Sequence, residues 1–494
     1  MVLTGLKSSF EKNINRNAFC INQKFYTYEE LQDKLFRISG ALINSNAAKT
    51  KRVGIATTDT LETYASILAC WFAGYAYVPL NPSIPEERNL TIIKEAKINV
   101  VLSSSETLPD FSKSFLHVQH INTSELDKEG VDNFKFTEFN TDTTLYILFT
   151  SGSTGVPKGV PITYGNVISF VDSYNALGFN CNHEDRFLQM FDLTFDVSVA
   201  SYLIPLLLGA CVYTVSSKGI KYMNVYKILK DYKISFASIV PSIITYLKPY
   251  FADINLPYLK YCILTAEASN IDIVTKWLHC VPNCSIVNLY GPTEATIWCT
   301  GYFFDITKPK AYNEMLVIGK PFKNVHAEII GENGAEVKKG EKGELCISSA
   351  QLTIGYLNNE EKNQLSFFIK DGIRFYKTGD LCYVDENDDI FYCGRIDHQI
   401  KIQGFRIELS EIEMSAKEFA AVNNVAVAYK NKYGVNEIAL FLENFSGNIN
   451  ELKKKLTSRL PYYMIPSQIN IITELPYNTS GKVDRVKLSG SISA

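Results

Sequence analysis

The sequence predicts an α/β protein with a large N-terminal domain, residues 1–394, and a small mobile α+β C-terminal domain, residues 395–494. Short apolar segments alternate with helical patterns across much of the first domain, which is typical of mainly parallel sheets covered by helices. From about residue 318 the pattern changes to short strands separated by glycine turns, which predicts a β-rich subdomain. The residues after Gly394 show a strand–helix pattern of their own, over a length sufficient for a separate domain.

The first elements follow from local signals in the sequence. Residues 25–46 are predicted to form a helix because Thr27 and Glu30 make a capping box before apolar residues at helical spacing. Pro85 suits the first turn of a helix that should run to about residue 97. Thr163 is a good N-cap for a helix through residues 167–171. Apolar helices are predicted at 63–72 and 197–208. Strands are predicted at 53–56, 100–102, 145–149, 186–190, 210–215, 235–240, 261–265 and 285–288.

Composition and charge restrict the class of protein. The chain of 494 residues is 46% hydrophobic with a net charge of −3 and scattered Lys and Arg, so nucleic acid is not expected as a partner. The most apolar stretches, 65–80 and 197–213, are interrupted by glycine and proline, so no membrane insertion is expected. No signal-peptide core begins the sequence, and its 11 cysteines are expected to be reduced. These features predict a cytoplasmic protein of enzyme size.

A loop rich in glycine and hydroxyl groups follows the strand predicted at 145–149. Backbone N–H groups exposed by glycine, together with hydroxyls and a lysine, are suited to binding phosphate. It is not a Walker A loop, because Lys158 is followed by Gly159 rather than by Ser or Thr. A flexible surface turn is the alternative interpretation. The candidate phosphate-binding residues are Thr150, Ser151, Gly152, Ser153, Thr154, Gly155 and Lys158.

A second polar stretch, NLYGPTE, occupies residues 288–294. Tyr290 stands before a Gly-Pro turn, where its ring could stack on a purine. Glu294 is a hard oxygen ligand of the kind that Mg²⁺ takes together with phosphates. From these residues alone, a Gly-Pro turn followed by a helix with an acidic first turn is the simpler interpretation. The candidate nucleotide-binding residues of this stretch are Asn288, Leu289, Tyr290, Gly291, Pro292 and Thr293.

Three further candidates stand toward the C-terminus. Asp380 follows a Thr-Gly pair, and its two carboxylate oxygens could accept both hydroxyls of a ribose. Arg395 is a candidate donor to ribose or phosphate. Lys482 lies at the tip of a predicted turn. An ordinary aspartate turn and a solvated lysine are the simpler interpretations of the first and last of these.

Taken together, these stretches resemble the signatures of the adenylate-forming superfamily, which includes acyl-CoA synthetases, adenylation domains of peptide synthetases, D-alanine–carrier protein ligases and luciferases. FTSGSTGVPKGV is similar to its phosphate loop and NLYGPTE to its second signature, and the resemblance extends from about Thr27 to Arg485. It implies that ATP and Mg²⁺ are the cofactors and that Lys482 is the catalytic residue. The other implied roles are adenine stacking (Tyr290), Mg²⁺ coordination (Glu294), ribose binding (Asp380) and further nucleotide contacts (Tyr392, Arg395).

Asp196 bears on the choice of acid. It stands between Phe195 and Val197, where a carboxylate is costly to bury unless it meets a cation or caps a helix. In superfamily members that activate α-amino acids, an aspartate here binds the substrate ammonium, so the resemblance favours an amino acid over the N-cap interpretation. The other positions that the resemblance assigns to the acyl pocket are Val197, Ala200, Ser238, Ile263, Thr265, Leu289, Ile297 and Trp298. Leu289, Ile297 and Trp298 are typical of small substrates, whereas Ala200 leaves more space.

The resemblance therefore implies ATP-dependent activation of an amino acid to aminoacyl-AMP, followed by transfer to the phosphopantetheine thiol of a separate carrier protein. The chain shows no carrier-protein motif of its own. No general base is required, since the substrate carboxylate is already ionised, and closure of the small domain would bring Lys482 to the site. The alternatives are a D-alanine–carrier protein ligase, an acyl-CoA synthetase, which Asp196 disfavours, and a non-catalytic nucleotide-binding regulator.

Overall fold

The computed structural model describes residues 2–45, 49–104, 118–126, 140–152, 155–478 and 482–492. The strand before the glycine-rich loop, Thr144–Thr150, lies in a six-stranded sheet. Neighbouring strands of this sheet are parallel except for the last pair, in which the chain turns back after the loop. Across the sheet the strands are Gln119–Asn122, Val100–Ser103, Arg52–Ala56, Ala76–Leu80, Thr144–Thr150 and Lys158–Thr163.

A nine-stranded sheet positions the second group of candidate residues. Its central strands are parallel and its edge strands antiparallel. Leu264 pairs with Asn288, so Thr265 and Tyr290 come to the same edge, at the carboxyl ends where α/β folds bind ligands. Across the sheet the strands are Lys320–Pro321, Thr300–Phe303, Ser285–Tyr290, Tyr261–Leu264, Phe236–Ile239, Arg186–Gln189, Cys211–Thr214, Asn17–Ile21 and Lys24–Thr27.

The predicted β-rich region is an antiparallel sheet. Asp380 and Arg395 pair directly across two of its strands, which places both side chains at one position of the sheet. The strands Val325–Ile330, Gly343–Ser349, Ile373–Val384 and Phe367–Lys370 follow one another in that order, and Ile390–Arg395 also pairs with Ile373–Val384. A small separate hairpin joins Ala311–Tyr312 to Met315–Leu316.

Beyond residue 396 the chain forms two more sheets. The first contains a strand, a glycine turn and a second strand, which precedes the helix Leu409–Ala420. Phe405 and Ile407 alternate with polar residues and are buried, so the segment extends instead of coiling. The hairpin pairs Gln399–Ile402 with Phe405–Glu408, and the second sheet contains Asn424–Lys430, Asn436–Glu443 and Gln468–Ile472.

Two of the predicted helix starts are confirmed. The Thr27 hydroxyl accepts the Glu30 N–H while the Glu30 carboxylate accepts the Thr27 N–H, which is the predicted capping box. Thr163 caps the next predicted helix, and Asn166 makes the reciprocal contact. The first of these helices is shorter than predicted, Tyr28–Ile43, because the residues before it form an edge strand.

Asp196 does not cap a helix, which corrects one interpretation of the sequence. Phe195 occupies the N-cap position and Asp196 is the first helical residue. The α-helices are Val2–Lys12, Tyr28–Ile43, Leu61–Ala73, Glu86–Glu95, Tyr164–Asn175, Asp196–Leu208, Lys221–Asp231, Pro241–Leu247, Ile271–Leu278, Glu360–Ser366, Leu409–Ala420, Ile449–Arg459 and Arg485–Gly490.

The main hydrophobic core contains side chains from both large sheets and from the helices packed on them. The residues after 396 have a core of their own, against which Phe195 packs from outside. All 11 cysteines are free. Within the described ranges, none of the helices has the length and hydrophobicity needed to cross a bilayer. The architecture confirms the predicted α/β fold class with parallel sheets.

Candidate active site

The glycine-rich loop has a backbone that only glycine permits at one position. A β-carbon at Gly152 would lie 2.0 Å from the Val156 carbonyl oxygen, so a larger residue would displace the loop. Gly155 has a positive φ of 78°. Ser151 and Lys158 are buried in the same loop, although a lysine is seldom buried unless it faces a partner. Ser153 and Thr154, which the sequence also assigned to the phosphate site, lie outside the described residues.

The C-terminal segment covers this loop. The Ser151 hydroxyl donates to the backbone carbonyl of Arg406 at 2.8 Å, and the Lys158 ammonium lies 3.9 Å from the Glu408 carboxylate. Burial and the neighbouring Arg406 lower the pKa of Lys158 to about 8, against the opposing effect of Glu294 and Glu408. Two of the donors that the sequence assigned to phosphate, Ser151 and Lys158, therefore face groups of the chain itself.

Glu294 is fully buried and forms an ion pair with Arg406, whose side chain is 17% exposed. One guanidinium nitrogen of Arg406 lies 2.9 and 2.8 Å from its two carboxylate oxygens, and the Tyr356 hydroxyl donates to it at 2.7 Å. Burial alone would raise the pKa of Glu294, but Arg406 and Tyr356 lower it to about 2. The position predicted for a metal ligand thus holds a permanent negative charge that a guanidinium neutralises in this conformation.

Asp380 is the acceptor at the centre of the predicted nucleotide site. The Tyr290 hydroxyl donates to one of its oxygens, and Arg395 lies 2.8 Å from the other. Arg395 also contacts Asp397 at 2.6 Å. These residues and Tyr392 line one side of an open cavity of about 650 Å³. The structure therefore brings together four of the residues that the sequence assigned to adenosine.

The remaining residues of the NLYGPTE stretch mainly fix the turn. Asn288 accepts from the Ser269 hydroxyl at 3.0 Å and donates to the Val317 carbonyl at 2.9 Å. A β-carbon at Gly291 would lie 2.4 Å from the Ile297 carbonyl oxygen, so the close approach requires glycine. Leu289 packs in the core, and Pro292 precedes a short 3₁₀ turn, Thr293–Ala295.

Asp196 lies buried beside this turn. Burial raises the pKa of Asp196 to about 6, although the Thr293 hydroxyl and the Val197 N–H oppose the shift. Its Oδ2 atom has no hydrogen-bond partner among the described residues. Asp196 and Thr293 line a cavity of about 90 Å³ that also reaches Tyr290 and Asp380. The site therefore presents an acceptor with unused capacity next to the nucleotide residues.

Trp298 contacts another residue of the predicted acyl pocket. Its indole N–H donates to the Thr265 hydroxyl at 2.7 Å, and the ring is almost fully buried. Val197 and Thr265 line the 90 Å³ cavity, whereas Trp298 and Ala200 do not. The remaining predicted pocket residues are buried around them: Ser238, Ile263, Leu289 and Ile297.

Lys482 is not at the site in this conformation. Its side chain is exposed, and its backbone N–H donates to the Asn478 side chain at 3.0 Å. No contact among the described residues joins it to the phosphate loop or to Asp380. The structure leaves its predicted role untested.

Three residues of the site were not predicted from the sequence. Arg406 and Lys401 stand in a stretch rich in charges, and Tyr356 is one of many tyrosines. Lys401 lies 5.6 Å from the centroid of the Tyr290 ring, and its partial burial lowers its pKa against the effect of Asp380. Alternating burial of the strand Phe405–Glu408 could have placed Arg406 on a polar face, but only the structure shows its partner, 112 positions away.

Comparison with known proteins identifies the family of this chain. The family model described as AMP-binding enzyme matches residues 6–357, and the chain belongs to that family. It is 32% identical over 492 residues to bacitracin synthase 3 of Bacillus licheniformis, covering 97% of this chain but 8% of that protein. This chain therefore spans about a tenth of the length of the large synthases that it matches.

Two other relatives match over most of both chains. The D-alanine–D-alanyl carrier protein ligase of Bacillus anthracis is 31% identical over 444 residues, with 88% of each chain covered. The crystal structure of the Vibrio cholerae adenylation domain AlmE, in complex with glycyl-adenosine-5'-phosphate, superposes with a TM-score of 0.88 at 25% identity, covering 99% of this chain and 97% of that one.

The buried ion pair generates a prediction. In Glu294→Gln the volume is kept but Arg406 faces a neutral amide, and loss of one partner of a buried pair commonly costs about 3–5 kcal/mol. Part of this loss of stability is regained if the Arg406 side chain moves into solvent. We therefore expect hydrogen–deuterium exchange of residues 404–408 to become at least about tenfold faster. Glu328→Gln, which breaks the remote pair with Lys370, is the matched control, and unchanged exchange at 404–408 would contradict this account.

Proposed function

We propose that this chain uses ATP to convert a small amino acid to its aminoacyl-adenylate and then transfers the aminoacyl group to the phosphopantetheine thiol of a separate carrier protein. The observation that carries the proposal is the buried Asp196 carboxylate, which lines the cavity shared with Tyr290 and Asp380 and has one oxygen without a hydrogen-bond partner among the described residues. A buried anion of this kind is stabilised by a cation that also hydrogen-bonds to it. An α-amino acid supplies one as its ammonium, whereas a fatty or aryl acid does not.

The first step is proposed to be attack of the substrate carboxylate on the α-phosphorus of ATP. One P–O bond forms and the bond to the β-phosphate oxygen breaks, so pyrophosphate leaves. The described loop residues Ser151, Gly152 and Lys158 would hold the departing phosphates, and Asp380 would accept the ribose hydroxyls. The nucleophile is already ionised, so this chain's residues align the reactants and balance charge.

Glu294 fits the proposed magnesium site. It is a buried carboxylate whose two oxygens already share a cationic partner, so the position suits a positive charge. Mg²⁺ bound there would neutralise charge on the pyrophosphate group. Arg406 would have to withdraw first, which requires the C-terminal segment to move.

The observed conformation is proposed to serve the second step. Lys482 is exposed, while Lys401 and Arg406 lie beside the nucleotide residues. The 650 Å³ cavity runs from Tyr290 and Asp380 to surface residues such as Lys430 and Tyr433, so a thiol on a long arm could enter. The thiolate would attack the acyl carbon, the acyl–phosphate bond would break, and AMP would leave. Adenylate formation would need a second orientation of the C-terminal residues that brings Lys482 in.

A small side chain is supported by the packing around the acyl pocket. Thr265 lines the cavity, and the Trp298 ring, which does not line it, donates its indole N–H to the Thr265 hydroxyl. A D-alanine–carrier protein ligase is the nearest alternative, since that enzyme's substrate is also a small amino acid and the 31% identity covers 88% of both chains. An acyl-CoA synthetase would leave Asp196 without a cation, and a non-catalytic regulator would not require Asp380, Glu294 and Lys482 together.

Amino-acid-dependent exchange between pyrophosphate and ATP tests the proposal. Glycine, L- and D-alanine, serine, cysteine and larger amino acids would be compared with acetate, a fatty acid and an aryl acid. We expect exchange with small amino acids only, and the preferred enantiomer separates the D-alanine alternative. Exchange confined to acids without an amino group would refute the role of Asp196, and no exchange with any acid would favour the regulator.

The size limit can be tested at Trp298. In Trp298→Ala the space behind Thr265 opens, so exchange with leucine or phenylalanine should rise by about tenfold or more relative to exchange with glycine. The deletion removes a buried ring and commonly costs about 3–5 kcal/mol, so folding is checked by thermal unfolding. Trp298→Phe is the conservative control and should change the ratio little. If Trp298→Ala leaves the ratio of leucine or phenylalanine exchange to glycine exchange unchanged, another residue limits the size of the substrate.

Lys482 is expected to be needed for adenylate formation but not for transfer of the aminoacyl group to the thiol. Lys482→Ala should lower pyrophosphate–ATP exchange by about a hundredfold or more, since one preorganised contact to a developing charge is commonly worth ~3 kcal/mol. Transfer of the aminoacyl group from a supplied adenylate to a thiol should be largely spared. Lys487→Ala, in the following helix, is the control. Equal loss of both steps would exclude two separate conformations.

The raised pKa of Asp196 gives a prediction for pH. Its carboxyl is protonated below about pH 6, and an ammonium binds the ionised form, so kcat/KM for the amino acid should fall about tenfold per pH unit below 6 and level off above it. The KM for ATP should not follow this decline. Asp196→Asn should be poor at every pH and lack the transition, whereas Asp253→Asn, at an exposed position, should behave as the wild type. A transition that persists in Asp196→Asn would assign it to another group.

A further inference from the structure

Glu267 is a carboxylate of the larger cavity that lacks a cationic partner. It follows the strand Tyr261–Leu264, which pairs in parallel with Phe236–Ile239, so Glu267 and Ser242 come to the same carboxyl edge of the sheet. The Ser242 N–H donates to Glu267 Oε2 at 3.0 Å, and the Gly404 N–H donates to Oε1 at 3.2 Å. Among the described residues, no lysine or arginine forms an ion pair with this carboxylate.

The surroundings of Glu267 favour uptake of a proton. Burial raises the pKa of Glu267, although hydrogen bonds from Ser242 and from the backbone of Gln403 and Gly404 oppose the shift. Two titratable groups on the neighbouring helices, Lys221 and Tyr246, also interact with it electrostatically. Without an ion pair to hold it ionised, this carboxylate accepts a proton more readily than the carboxylates that face arginine.

Glu267 stands next to the place where the two cavities meet. The preceding residue, Ala266, has a left-handed backbone with a φ of 68° and lines both the 650 Å³ and the 90 Å³ cavity. Tyr290 and Lys401 also line both. Glu267 lines only the larger cavity, through which a thiol could reach the acyl group. Its carboxylate is therefore on the side from which the thiol would arrive.

The other candidate bases of the larger cavity are less suited to this position. No histidine of the described part of the chain lines either cavity. The remaining carboxylates of the larger cavity are paired or exposed: Asp380 and Asp397 contact Arg395, Asp272 contacts Lys276, and Glu314 is exposed. A carboxylate that is held by a cation is a weaker base, and one at the exposed rim lies away from the junction of the cavities.

We propose that Glu267 is the catalytic base of the thiol step and takes the proton of the thiol as the sulfur attacks the acyl carbon. The S–H bond breaks and an O–H bond forms on Glu267, while the S–C bond forms, the acyl–phosphate bond breaks and AMP leaves. The proton then passes from Glu267 to solvent through the open cavity. A thiol needs this help because its usual pKa of about 8.5 leaves it mostly protonated at neutral pH. The inference rests on the proposed function, which supplies the adenylate and the thiol.

Transfer from a supplied glycyl-adenylate to free pantetheine tests the role of Glu267. Hydroxylamine serves as a second acceptor, because its neutral nitrogen attacks without first losing a proton. In Glu267→Gln, transfer to pantetheine near neutral pH should be about a hundredfold slower than in the wild type, whereas transfer to hydroxylamine should change by less than about twofold. Glu314→Gln removes another carboxylate of the same cavity and should behave as the wild type.

The pH dependence separates loss of a base from displacement of the turn at Gly404. In Glu267→Gln only the thiolate reacts, so transfer to pantetheine should rise about tenfold per pH unit from about pH 6 to 8, and the deficit should shrink. The wild type should change much less over this range. A displaced turn would instead slow transfer to pantetheine and to hydroxylamine alike, at every pH.

Three results would overturn the proposal. The first is equal transfer to pantetheine by the wild type and Glu267→Gln. The second is an equal loss with both acceptors that higher pH does not restore, and the third is a wild type that does not accelerate transfer to pantetheine. Pyrophosphate–ATP exchange is measured separately. Its absence with every amino acid would refute the proposed activation step, whereas transfer from the supplied adenylate does not depend on that step.

Discussion

The buried ion pair between Glu294 and Arg406 is the interaction on which this arrangement of the site depends. Desolvating two charges costs several kcal/mol for each ion, and the pair is favourable only where geometry and further hydrogen bonds compensate. Here one guanidinium nitrogen reaches both carboxylate oxygens, and the Tyr356 hydroxyl adds a third donor. Because Arg406 belongs to a segment with its own hydrophobic core, the pair fixes that segment against the nucleotide residues.

The same constraint explains how a site for a highly charged ligand can be buried before the ligand arrives. Three charged groups of the site have an internal partner of opposite sign: Glu294 has Arg406, Asp380 has Arg395, and Lys158 has Glu408. Each of these contacts is one that the proposed nucleotide or its metal ion would replace. Binding then exchanges one set of compensated charges for another, which costs less than burying the ligand's charge beside unpaired groups.

Local signals could be interpreted from the sequence, whereas pairings across long separations could not. The Thr27 capping box and the Thr163 cap are decided within three residues, and the glycine-rich loop follows a recognisable apolar strand. The NLYGPTE turn is likewise local. The contact of Glu294 with Arg406 spans 112 positions and that of Ser151 with Arg406 spans 255, and both depend on how separately folded segments dock. Periodicity also missed the strand Phe405–Glu408, because four residues are too few to outweigh the following helical pattern.

Several residues that the sequence predicts for the acyl pocket belong to the hydrophobic core. Trp298, Ile297, Leu289 and Ala200 belong to the same buried cluster that joins the two large sheets. The indole N–H is satisfied by Thr265, so the ring is fixed in position as well as in volume. Ala200 is buried in this cluster and does not line the cavity. A small residue at a predicted pocket position therefore does not by itself enlarge the cavity.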